Sequence, residues 1–174
     1  MKKVIAILLL VCMVAGLAAC GSKPAEYKLG MGVVVSTDSS AENNAQVDAT
    51  VATVVTDKDG KIVACRIDCA QSKMDVTDGG VDTAKTFLTK AELKEDYNMV
   101  KFSAPGACIA EWYIQAKAFT DFVVGMTAAD ILAMETVLNE EGHQVSTDET
   151  LFASCTISIG GFQAVLAKAA DNAR

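Results

Sequence analysis

Residues 51–69 read Val-Ala-Thr-Val-Val-Thr-Asp-Lys-Asp-Gly-Lys-Ile-Val-Ala-Cys-Arg-Ile-Asp-Cys. Two arms rich in β-branched residues flank Asp57-Lys58-Asp59-Gly60. Asp and Gly together tolerate the positive φ that a tight reversal needs. The pattern predicts an antiparallel hairpin with strands over 46–56 and 61–69. Val47, Val51 and Val55 fall on one parity of the first arm, and Ile62, Ala64 and Ile67 are among the apolar members of the second.

Upstream, residues 27–35 are rich in β-formers, with Gly30 and Gly32 interrupting, and 36–45 form a polar loop or wide hairpin. Downstream the period changes from Gly79 onward. Thr89-Lys90-Ala91-Glu92 matches a capping box, which predicts a helix running through Glu95 or beyond. Ser103-Ala104-Pro105-Gly106 breaks the chain. Trp112, Ala116, Phe119 and Val123 recur at helical spacing, so 111–124 reads as an amphipathic helix ended by Gly125. Thr127 caps a further expected helix over 128–139, with Asp130 in the first turn where the helix dipole favours it. Residues 151–159 are apolar and short, and a last helix opens at Gly160 or Gly161 and runs to about Asn172. Strands first and helices later predict an α+β fold: an antiparallel sheet with a β-hairpin, packed by several helices, in a single domain over 27–174.

The chain has 174 residues and a net charge of −7, with 15 Lys+Arg against 22 Asp+Glu. No basic run crosses the body, which argues against phosphate-driven binding of nucleic acid. His143 is the only imidazole and sits among polar residues that read as a solvated loop. One imidazole argues against a histidine-rich metal site. A hydrolase would need Cys155 beside that one His.

The amino terminus reads as an address. Lys2 and Lys3 precede an apolar run over 4–14, then Leu17-Ala18-Ala19-Cys20 and Gly21-Ser22. A basic start, a short apolar core and small residues before a cleavage point make a signal peptide over 1–19. A short transmembrane helix is the other reading, though a span needs about 20 apolar residues. Leu-Ala-Ala-Cys resembles a bacterial lipobox, which implies that Cys20 carries a lipid, that 20–26 is a tether, and that the body lies outside the cytoplasm. Membrane lipid is then a partner through Cys20. Loss of Lys2 and Lys3 takes the net charge from −7 to −9. Such a body is repelled by anionic headgroups, so attachment would rest on the acyl chains.

Cys65, Cys69, Cys108 and Cys155 remain in the body. Cys65 and Cys69 are four apart in an expected strand, about 13 Å between α-carbons at ~3.3 Å per residue, too far for a disulfide. Small buried hydrophobes are the simplest reading of these thiols. Trp112, Tyr113 and Phe119 make an aromatic stripe that fits core packing or, alternatively, a stacking platform. The run from Ala153 to Gly161 places small and hydroxyl residues just before a helix start. Ser158 there fits a helix cap, and free amides at the same turn fit an anion such as phosphate.

Several stretches together resemble the FMN-binding domain family in its lipoprotein branch. These are Tyr27-Lys28-Leu29-Gly30-Met31-Gly32, the hairpin ending in Asp59-Gly60-Lys61-Ile62, Lys90 to Met99, Glu111 to Phe119 with Phe122 to Thr127, and Ala153-Ser154-Cys155-Thr156 followed by Gln163-Ala164-Val165. In flavinylated members the Thr hydroxyl of a Ser-Gly-Ala-Thr motif is joined to the FMN phosphate by a flavin transferase. The resemblance implies Thr156 as attachment point, Ser154, Cys155 and Ser158 around the phosphate, and Trp112 or Tyr113 against the ring. It implies FMN as cofactor, membrane redox proteins as partners, and an electron carrier or binding protein rather than a stand-alone enzyme. Ser154-Cys155 stands where the family has Gly-Ala, and Thr150 stands where an acidic residue is expected. These departures motivate a second expectation: a flavin-free surface lipoprotein that binds another small ligand or serves as an interaction module.

Overall fold

The computed structural model describes residues 26–77, 80–81 and 87–174. The signal peptide, Cys20, the tether up to residue 25 and Gly79 lie outside these residues. The described chain is α+β: an antiparallel sheet in the order β1-β2-β3-β4, covered on one face by helices, with a separate two-stranded hairpin.

Strand β1 (Lys28–Ser36) pairs with β2 (Asn44–Thr56), which pairs with β3 (Ile62–Thr77); β4 (Gly80–Val81) adds two residues to the far end of β3. The hairpin falls where Asp57–Gly60 predicts it. Gly60 takes φ +77°, and the Asp57 carboxylate accepts the amides of Asp59 and Lys61 at 2.9 Å. Register steps from Val55–Ala64 to Thr56–Ile62, so Val63 is bulged out and Ile62 stays on the buried face. Both arms outrun the expected hairpin, since polar residues such as Gln71 and Asp75 still pair with β2.

The carboxy-terminal helix α6 (Gly160–Asp171) lies across β1 and β2. Gly30 and Gly32 make this possible. A Cβ at Gly30 would run into the Ala169 carbonyl oxygen, and one at Gly32 into that of Val165. The two interruptions in the first strand are therefore the places where helix backbone meets strand backbone. Lys168 Nζ and Asn172 Nδ2 donate to the carbonyls of Val33 and Met31 at 2.8 and 3.2 Å, tying the helix to β1.

Before α6 come α1 (Lys90–Leu93), α2 (Met99–Phe102), α3 (Trp112–Phe122), α4 (Ala128–Leu132) and α5 (Glu149–Phe152). Helix α3 packs on β3, and Trp112, Phe119 and Phe162 meet in the core, with Phe162 centroids 5.7 Å from Trp112 and 5.4 Å from Phe119. Of the aromatic stripe, Trp112 and Phe119 are core packing, and Tyr113 is only partly buried against it. Among the described residues no helix is long and apolar enough to cross a membrane.

Three expectations need correction. The capping box at Thr89 forms, but α1 ends at Leu93: Lys94 takes φ +50° and starts a 3-10 turn to Tyr97, and left-handed Asn98 separates that turn from α2. The helix expected over 128–139 stops at Leu132. Gln163 Nε2 of α6 donates to the carbonyls of Ile131 and Met134 at 2.9 and 3.0 Å, so a side chain takes the acceptors that a continuing helix would use. Thr136–Leu138 is instead strand β5, paired with β6 (Gln144–Ser146). Ser158 does not cap α6: Ile159 holds the cap position, with no side-chain bond to the helix amides.

Candidate functional site

Where the sheet's buried face runs out beneath the loops, a cleft of about 330 Å³ opens. Asp48, Thr50 and Cys69 from β2 and β3 line it, with Lys90, Met99 and Trp112 on one side, Thr156, Ser158, Gly161 and Phe162 on another, and Glu141 and His143 at the mouth. That volume lies in the range of small-molecule sites.

Thr156 faces the cleft but is held from behind. Its N–H donates to Gln115 Oε1 at 2.8 Å, and its hydroxyl lies 3.3 Å from the same oxygen and 3.5 Å from the Ala107 carbonyl. Gln115 is 0% exposed and its Nε2 donates to the Ala110 carbonyl at 2.6 Å and towards Cys108 Sγ at 3.2 Å. One buried amide thus joins α3, the 107–110 loop and the turn at 156. Gln115 escapes a motif search. Its signal is a polar residue on the same helical stripe as Trp112, Ala116 and Phe119.

The amides just before Thr156 are also engaged: Ser154 and Cys155 both donate to the Leu151 carbonyl. Beyond it the picture changes. The amides of Ser158, Gly160, Gly161 and Phe162 make no hydrogen bond among the described residues; the first intrahelical bond runs from Gln163 N to Ile159 O. Three of these four residues line the cleft. The unengaged amides of this turn are therefore those of Ser158, Gly160, Gly161 and Phe162, on either side of Ile159, whose N–H donates to the Gln144 carbonyl at 2.8 Å; the positive end of a twelve-residue helix supports them.

The structure brings Thr156, Ser158 and Trp112 to the cleft, and leaves Ser154, Cys155 and Tyr113 outside its lining. Ser154 is exposed and bonds back to Leu151 O at 3.1 Å. Cys155 is 0% exposed, and burial pushes its thiol up to about 11, with a smaller opposing effect from the Ile157 amide. A thiol held neutral in the core is no nucleophile, which removes the hydrolase reading. Tyr113 lines a separate groove and donates to Glu95 Oε1 at 2.7 Å. Trp112 reaches the cleft with a narrow edge, being 4% exposed. His143 is exposed, with Nε2 3.7 Å from Glu141 Oε2.

Asp48 supplies the opposite polarity. Its Oδ2 accepts from Gln46 Nε2 at 2.7 Å, while Oδ1 is buried with no hydrogen-bond partner among the described residues. A buried acceptor without a donor is rare. Lys90 Nζ stands 5.0 Å from the Tyr97 ring centroid and 5.6 Å from that of Trp112, held at the cleft by two aromatic faces. The cleft can therefore receive an anion at the start of α6 and a donor group at Asp48. No protein-family model, no characterised protein and no solved structure matches the chain.

Proposed function

We propose that this is a lipid-anchored extracytoplasmic protein, held to the membrane through Cys20, whose cleft binds FMN for electron transfer outside the cytoplasm. The observation that carries the reading is the pairing of unengaged amides at Ser158, Gly161 and Phe162 with the donor-seeking Asp48 carboxylate in one cleft. FMN has a dianionic phosphate at one end and an imide N–H at the other, so amide donors at one place and a carboxylate acceptor at another fit its chemistry. The α6 amides would hold the phosphate, Lys90 would add charge, and Asp48 would accept from the ring's imide. When bound, the flavin supplies reversible electron uptake; the chain's own residues bind, orient and shield it. Thr156 is the candidate point for a phosphoester made by a flavin transferase. A membrane redox protein would be the electron partner.

A second reading, a flavin-free lipoprotein that binds another anionic small molecule in the same cleft, is favoured by Gln115, which already engages both the amide and the hydroxyl of Thr156. Titration separates the two. FMN should quench Trp112, the only tryptophan, in a saturable way and more tightly than riboflavin, which lacks the phosphate. Gly161→Asp should abolish that preference while keeping the fold, because a Cβ there meets nothing within 4 Å and an acid in the first turn favours the helix. Riboflavin binding as tightly as FMN defeats the assignment of the phosphate to the α6 amides, and no quenching by either defeats the flavin reading. An unmodified intact mass after co-expression with a flavin transferase defeats attachment at Thr156.

A further inference from the structure

A second groove of about 390 Å³ lies on the far side of Trp112, between the edge of β3 and helix α3. Its floor is Cys65, Ile67, Trp112 and Ala116, and its rim carries Arg66, Lys94 and Lys117 against Asp121, with Glu95 held beside Lys94 by the lining Tyr113. In a chain of net charge −7 this is a concentration of the minority sign. Lys117 is paired with Asp121, but Arg66 and Lys94 form no ion pair among the described residues. Lys94 holds its place at φ +50°, ψ −118°, a conformation that L side chains rarely adopt.

The backbone beside the groove is also open. Strand β3 pairs with β2 along one side. On the other, Ile62 exchanges bonds with Gly125 and Met126, Ala91 bonds to the Asp68 carboxylate, and β4 takes only Val76 and Thr77. Between them, residues 63–67 have no partner on that side among the described residues. The gap of five residues is about 16 Å long at ~3.3 Å per residue, matched to a short extended segment.

We propose that this groove receives an acidic, extended segment of a partner protein, which adds as a strand to β3 at residues 63–67 with alternate side chains on the apolar floor and its carboxylates against Arg66, Lys94 and Lys117. Main-chain pairing gives the affinity and the cationic rim selects the partner. The proposal stands apart from the flavin reading, since neither Thr156 nor the α6 amides touch this groove.

A seven-residue random peptide library selected on the full chain tests it. Selection should enrich Asp and Glu alternating with apolar residues. A synthetic peptide of the selected sequence should shift the amide resonances of 63–67 and weaken as salt rises. Arg66→Glu and Lys117→Glu should each weaken binding about ten-fold with the urea midpoint unchanged. Lys94→Gly should weaken binding while raising Tm, because it removes both the ammonium and the strained backbone, a combination no purely structural role produces. Gly161→Asp should leave peptide binding intact. Selection without acidic enrichment, resonance shifts at the Thr156 cleft instead, or displacement by inorganic phosphate alone would overturn the proposal.

Discussion

The β1–β2–β3 meander with α6, and the wall of loops around the cleft, are held together by different means. In the first, backbone pairs with backbone over long registers broken by one bulge at Val63, and Gly30 and Gly32 let a helix lie directly on a strand. In the second, most of the elements are three to five residues long, and side chains, some near in the chain and some ten or more residues away, satisfy their amides. Asp68 accepts from the Thr89 hydroxyl and the Ala91 amide, Glu111 from Met99 and Val100, Asp148 from Thr150 and Leu151, and Asn139 from Glu141 and His143. Helices this short do not stand alone in water. The difference teaches that the scaffold should fail as a unit, whereas the wall should fail piece by piece.

The largest effect should come from the scaffold. Gly32→Ala places a methyl against the Val165 carbonyl and the Ala169 amide. Relief requires α6 to lift from β1, at a cost of about 3 kcal/mol. That is a large part of a typical domain's stability. The urea midpoint should fall with the slope unchanged, and amide protection should drop in β1, β2 and α6 together. Loss confined to α6 would break the contrast.

Gln115→Leu should be the costliest change in the wall, about 2 kcal/mol, because it leaves the part-buried Thr156 amide without a partner and the Ala110 carbonyl with only the Cys108 thiol. Hydrogen exchange should rise at 107–110 and 156–158 while β2 stays protected. Gln115→Glu sharpens the point: the carboxylate can still accept from Thr156 but has no donor for Ala110. It should therefore behave closer to Leu than to the parent.

Cys155 lies where the two regions meet. Its folded thiol is raised to about 11, chiefly by burial, whereas an unfolded thiol titrates about two units lower. Between about pH 9 and 11 the unfolded chain releases this proton and the folded chain keeps it. Stability is therefore fully present below that window and falls as pH rises through it, at roughly 1.4 kcal/mol per pH unit. Cys65, raised to about 11 by burial and by Asp121, acts in the same direction, so urea midpoints should fall across pH 8–11 and Cys155→Ala should reduce the slope without abolishing it.

The scaffold was legible because its signals are local. Turn residues at 57–60, β-rich arms and a stripe of aromatics at helical spacing each carry their structure within a few positions. The capping box at Thr89 and the cap at Thr127 were legible on the same ground and both form, the second as a capping box with Asp130. What local pattern does not contain is where a helix ends when a distant side chain ends it, as Gln163 does for α4. Nor does it contain which amides at 154–162 remain unengaged, because Gln115, forty-one residues from Thr156, decides one of them. Of the candidate site residues, Thr156, Ser158 and Trp112 reach the cleft because the turn and the helix stripe place them. Asp48 and Lys90 were missed because one looks like an ordinary strand polar residue and the other like a solvated helix start.

The smallest effect should belong to Glu111→Gln, and it bears most directly on the contrast. Glu111 stands at the cap position of α3 yet makes no side-chain bond to that helix. Its carboxylate instead accepts the amides of Met99 and Val100, at 2.8 and 3.2 Å, and so caps α2 from a dozen residues away. The amide keeps the shape and one acceptor oxygen and loses the other along with the charge. Charge-assisted caps of this kind contribute about 1 kcal/mol. If the wall is built from independent side-chain ties, exchange should quicken at 99–103 alone. The cleft should then bind FMN more weakly through Met99, which lines it, and the urea midpoint should barely move. If protection falls equally across β2 and α6, the wall and the scaffold are one cooperative unit, and the division drawn between them does not hold.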